Sequence, residues 1–88
     1  MTAPLTNAST DIRIAAIDIG SNSVRQIVAD VSPSGQIRVV DEMKAMPRLG
    51  EGLEATGALS PTAIDAAVTA VQRMVTLADQ LGAIRIEI

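Results

Sequence analysis

Residues 12–19, IRIAAIDI, form a short, nearly continuous apolar run that stops at a cluster of turn formers, Gly20-Ser21-Asn22-Ser23. A run with so little alternation reads as a strand buried on both faces. Val24 to Val31 is the next strand-length segment, with Ile27, Ala29 and Val31 on one face. Ser32-Pro33-Ser34-Gly35 is again built from turn formers, and Gln36 to Lys44 reads as a third strand. Connections this short join antiparallel neighbours, because parallel strands need a crossover of roughly a dozen residues or more. Residues 12–44 are therefore expected to form an antiparallel three-strand meander.

A loop follows from Ala45 to Leu59, AMPRLGEGLEATGAL, interrupted by Pro47 and by Gly50, Gly52 and Gly57. Loops of this length without regular structure are uncommon and often functional. Ser60-Pro61 then opens a helix, with Ser60 as N-cap and Pro61 at the first helical position. Ile64, Ala67, Val68, Val71, Met74, Val75, Ala78 and Leu81 recur at helical spacing and predict one apolar stripe. Gly82 is the expected C-cap, and Ile84, Ile86 and Ile88 alternate with Arg85 and Glu87 as the start of a strand. The expected order is strand, strand, strand, helix, strand. The chain stops inside the last strand, which reads as a truncated domain.

The first eleven residues, MTAPLTNASTD, lack the basic start and apolar run of a signal peptide and read as a flexible leader. Residues 12–88 are then one domain, and no apolar run approaches the roughly 20 residues of a membrane span. The core must be aliphatic, since the chain has no Phe, Tyr or Trp. A net charge of −3 argues against nucleic acid as a partner, and without aromatics base stacking is unavailable too. With no Cys and no His, disulfides, Cys/His zinc sites and nucleophiles activated by histidine are excluded within this chain. The lack of cysteine fits a cytoplasmic location.

Chemistry concentrates in residues 17–25. An acid, Asp18, closes the first strand, where burial without a partner is costly. Gly20 lets the backbone approach a ligand closely and can take positive φ. Successive amides in such a turn can form an anion-binding nest. Ser21, Asn22 and Ser23 can add side-chain donors, and Arg25 a charge-assisted contact to phosphate. Asp18 repels phosphate but suits Mg2+, held usually through water and bridging to phosphate. From spacing alone, the same residues also describe an ordinary hairpin turn and a solvated strand arginine.

Asp18-Ile19-Gly20-Ser21-Asn22-Ser23-Val24-Arg25 resembles the first phosphate-binding motif of the actin-like ATPase superfamily: an acid, an apolar residue and a glycine, then small hydroxyl residues in a hairpin. Its Gly-Ser-Asn-Ser form is similar to that of the exopolyphosphatase / guanosine pentaphosphate phosphatase (Ppx/GppA) family. Arg48-Leu49-Gly50-Glu51-Gly52-Leu53, then Gly57-Ala58-Leu59-Ser60, resembles that family's loop before its first helix. The resemblance runs from about Ile14 to Ile88. It implies the N-terminal part of an α/β, actin-like ATPase (ribonuclease H-like) domain, βββαβ with the last strand parallel. It also implies Asp18 near a divalent metal, Gly20, Ser21, Asn22 and Ser23 around the phosphate, and Arg25 in contact with it. Polyphosphate or guanosine pentaphosphate would be the substrate, and a homodimer of the full-length protein is a further expectation.

Hydrolysis of a phosphoanhydride also needs a base that orients water. In the family that base is a glutamate in a later segment, so no catalytic residue is expected before Ile88; Glu51 and Glu54 read as solvated loop acids. Two further readings stand beside the phosphatase fragment. One is a fragment of a sugar or carboxylate kinase of the same superfamily, against which the Asn22-Ser23 pair and the Arg48 loop count. The other is a non-enzymatic module that binds a phosphate ligand.

Overall fold

The structure is a computed structural model that describes residues 10–46 and 60–88. Strands β1 (Ile12–Ile19), β2 (Val24–Val31) and β3 (Ile37–Ala45), helix α1 (Pro61–Gln80) and strand β4 (Arg85–Glu87) follow in chain order. The sheet order is β3-β2-β1-β4. β1 and β2 pair antiparallel from Ile12↔Val31 to Ile19↔Val24, and β3 pairs antiparallel with β2. β4 pairs parallel with β1, Ala15 lying opposite Ile86. The meander, crossover helix and parallel strand read from the sequence are thus present, and among the described residues no helix is long and apolar enough to cross a membrane.

Among the described residues, the β2–β3 turn and the two ends of α1 are fixed by local hydrogen bonds. Between β2 and β3, the Ser32 amide donates to the Gln36 carbonyl at 2.9 Å, and the Gln36 amide to the Ser32 hydroxyl at 3.0 Å. At the head of α1, the Ala63 amide donates to the Ser60 hydroxyl at 3.1 Å, satisfying an amide the helix leaves unpaired. At its foot, the Ala83 amide donates to the Ala78 carbonyl and the Gly82 amide to the Asp79 carbonyl. This is a Schellman end, and it needs a left-handed residue. Gly82, with φ of 83°, provides it one position beyond the cap residue Leu81.

α1 packs on one face of the sheet. Ala15, Val28 and Ala78 form one buried cluster, Ile17, Val24 and Met74 another, and Ile86 packs against both. Cross-strand register places Arg13, Ala15, Ile17 and Ile19 on this face with Val24, Gln26, Val28 and Asp30. Two expectations are corrected here. β1 is not covered on both faces: Ile12, Ala16 and Asp18, on the side away from α1, are exposed. The helix stripe is also narrower than its apolar residues. Ala63, Ala70, Met74 and Ala78 are buried, whereas Ile64, Val68 and Val75 stay exposed, because they stand roughly 100° or more around the helix from that line.

Two buried polar residues, Asp30 and Gln26, share the covered face. Asp30 accepts from Arg13 Nε at 2.8 Å and Nη2 at 3.0 Å, and from Arg38 Nη2 at 3.0 Å. The Arg13 hydrogen bond, with smaller help from Arg38, holds the Asp30 carboxyl below its ordinary value of 3.8 against the opposing effect of burial. Arg13 Nη1 also reaches the Leu81 carbonyl at 2.8 Å, so a cation meets the negative end of the helix dipole. Gln26 is buried, and neither its Nε2 nor its Oε1 has a hydrogen-bond partner among the described residues.

Candidate functional site

The β1–β2 hairpin is closed by one backbone bond, from the Gly20 amide to the Ser23 carbonyl at 2.8 Å. That amide is therefore used by the turn itself. The amides of Ser21, Asn22 and Ser23 make no backbone hydrogen bond among the described residues. Gly20, Ser21 and Asn22 are exposed and Ser23 is half-buried. Three successive free amides beside small hydroxyl and carboxamide side chains are the donor set that an anion requires.

Gly20 does not take the positive φ that its type permits, since only Gly35 and Gly82 do so among the described residues. A Cβ at Gly20 would meet the Ser23 carbonyl oxygen at 3.4 Å, an ordinary contact. The turn tolerates a side chain there, so neither its fold nor its packing demands glycine.

Asp18 and Arg25 are directly opposite one another on β1 and β2, on the sheet face away from α1. Arg25 is in turn opposite Lys44 on β3. The register thus lays an acid and two cations in a row beside the hairpin. All three side chains are exposed, and none makes a hydrogen bond or ion pair among the described residues. Lys44 had no place in the sequence-derived site. Only the β2–β3 register brings it alongside Arg25, and a Val40 bulge interrupts that register; no local pattern announces it.

The free carboxylate of Asp18 suits one ligand position on Mg2+, which binds through one or two carboxylates and completes its shell with water and phosphate oxygens. Among the described residues no group of three or more acids, histidines or cysteines converges on a metal position. The Arg48–Leu53 loop, with Glu51, and Glu54 lie outside the described residues, as do residues 1–9 of the leader. Two of the cavities formed by described residues are one of 440 Å3 between the end of β3 and α1, with Lys44 in its lining, and one of 780 Å3 around Ser32 to Arg38 at the end of the sheet away from the hairpin.

No family model matches the chain. Curated proteins do. Exopolyphosphatase 2 of Mycobacterium tuberculosis is 42% identical over 62 residues, covering 67% of this chain and 19% of that protein. A putative exopolyphosphatase of Haemophilus influenzae is 45% identical over 51 residues, covering 58% of this chain and 16% of that protein. Among solved structures, the Ppx/GppA family member of Aquifex aeolicus superposes with a TM-score of 0.80 at 29% identity, over 86% of this chain and 24% of that one. The chain belongs to the Ppx/GppA family.

It spans about a fifth of the curated Ppx/GppA relatives it matches. The partial actin-like fold expected from the sequence agrees with the fold of the Ppx/GppA structures. Strand order and the placement of α1 are therefore family architecture.

Proposed function

We propose that the chain is the phosphate-gripping part of a phosphoanhydride hydrolase that releases terminal phosphate from inorganic polyphosphate, the 5′ phosphate of guanosine pentaphosphate, or both. The observation that carries this reading is the hairpin: the Ser21, Asn22 and Ser23 amides have no partner among the described residues, and Asp18 and Arg25 flank them without pairing to each other. The names of the curated relatives favour polyphosphate.

In this mechanism the amides and hydroxyls of residues 21–23 hold the terminal phosphate oxygens and fix their orientation. The Arg25 guanidinium neutralises charge on the same group. The Asp18 carboxylate would hold Mg2+, which when bound supplies electrostatic stabilisation to the phosphate oxygens. No described residue is placed to orient the attacking water, so these residues bind and position without completing the reaction. Homodimerisation of the longer protein and a cytoplasmic setting belong to the same proposal, the latter supported by the cysteine-free composition.

Isothermal titration of the chain with tripolyphosphate, with and without Mg2+, tests the reading. Saturable binding that is strengthened by Mg2+ and lost in Asp18→Ala and Ser21→Ala is expected. Binding of equal strength in those variants would refute it.

A further inference from the structure

We infer that Lys44 contacts a second phosphate, beyond the one at the hairpin, and so makes affinity depend on polyanion length. The inference rests on the hairpin being a phosphate site and adds a direction to it. Arg25 and Lys44 are directly opposite on neighbouring strands, on the face away from α1. Like charges in such a pair repel and weaken the sheet unless an anion lies between or over them. Asp18, across from Arg25, pairs with neither cation, and Glu42, two residues before Lys44 on the same face, pairs with neither as well.

Strands lie about 4.8 Å apart, so Lys44 stands about 10 Å across the sheet from Asp18. A phosphate seated on the turn amides between Asp18 and Arg25 leaves Lys44, one strand further on, to the next phosphate of a chain. The row Asp18, Arg25, Lys44 thus points a polyanion from the turn across the end of the sheet toward β3. Lysine suits this role, as a mobile point charge that follows a flexible chain without fixing its geometry.

The test compares orthophosphate with long-chain inorganic polyphosphate, titrated into the chain and into Lys44→Gln and Lys44→Arg, with far-UV circular dichroism checking that each variant folds. Lys44→Gln is expected to weaken long-chain binding roughly three- to five-fold, the scale of one exposed charge contact. Orthophosphate binding should be unchanged, and Lys44→Arg should restore the long-chain affinity. If both ligands bind and Lys44→Gln alters neither, Lys44 is a solvated charge balanced by Glu42; the inference fails while the hairpin site stands. Equal weakening for both ligands overturns it too, by making Lys44 part of the first contact. Failure of the unmodified chain to bind either ligand overturns the hairpin site and the inference together.

Discussion

Arg13 and Asp30 face each other across β1 and β2 through two parallel hydrogen bonds of 2.8 and 3.0 Å, and the same guanidinium holds the Leu81 carbonyl at the foot of α1. One side chain therefore joins both central strands to the helix end, while the Arg13 carbonyl accepts from the Ile84 amide just before β4. This clamp sits at the end of the sheet away from the hairpin, so its effect falls on stability. Asp30→Ala leaves Arg13 without its carboxylate partner. The expected result is a thermal midpoint lower by about 4–8 °C or more, measured by circular dichroism. An unchanged midpoint would remove the clamp from the account.

Acid should release the same clamp. The Asp30 carboxyl titrates below its ordinary value of 3.8 in the folded chain, chiefly through the Arg13 hydrogen bond. A depressed folded value means the unfolded chain binds the proton first on acidification. The contribution is therefore complete above the unfolded value, declines as pH falls through it, and is gone below the folded one. Denaturant midpoints measured from pH 6 down to pH 2 should fall in the native chain. The fall should be shallower in Asp30→Asn, and parallel curves would contradict the assignment.

Gln26 is expected to cost stability as it stands. Its carboxamide is buried with no partner on either polar atom among the described residues. Gln26→Met keeps the length of the side chain and removes the unpaired groups, so the chain should gain about 1–2 kcal/mol in urea unfolding. A loss would mean that the carboxamide finds a partner in solution.

Gly82→Ala tests the helix end separately from the clamp. A Cβ there meets nothing within 4 Å, so any cost is that of holding an L-residue at φ of 83°. That strain is about 1–2 kcal/mol. No loss in urea unfolding would show that the helix ends differently in solution.

The strands and helix were legible because their signals are local. The bounds of β1 and β2 match the apolar runs, and Ser60-Pro61 marks the first turn of α1. β3 runs Ile37–Ala45 instead of Gln36 to Lys44, a shift of one residue. What failed depends on pairing between distant segments. In β2 the run Ile27, Ala29, Val31 does share a face, but α1 covers the other, where Val24 and Val28 alternate with Gln26 and Asp30. A buried aspartate looks like a solvent residue until register sets it against Arg13. The over-wide helix stripe has a similar origin: Ile64, Val68 and Val75 satisfy the period, yet no described residue covers them. In the candidate site, the acid and the turn were readable as a motif. Lys44 was not, because it reaches Arg25 only through the β2–β3 ladder.

Amide chemical shifts of the chain during titration with pyrophosphate and Mg2+ probe the hairpin most directly. The largest changes are expected at Ser21, Asn22 and Ser23, saturating together, while Gly35 and Gly82 in the other turns stay still. Shifts spread evenly over the surface, or centred on the Ser32–Arg38 end of the sheet, would contradict phosphate binding at the hairpin.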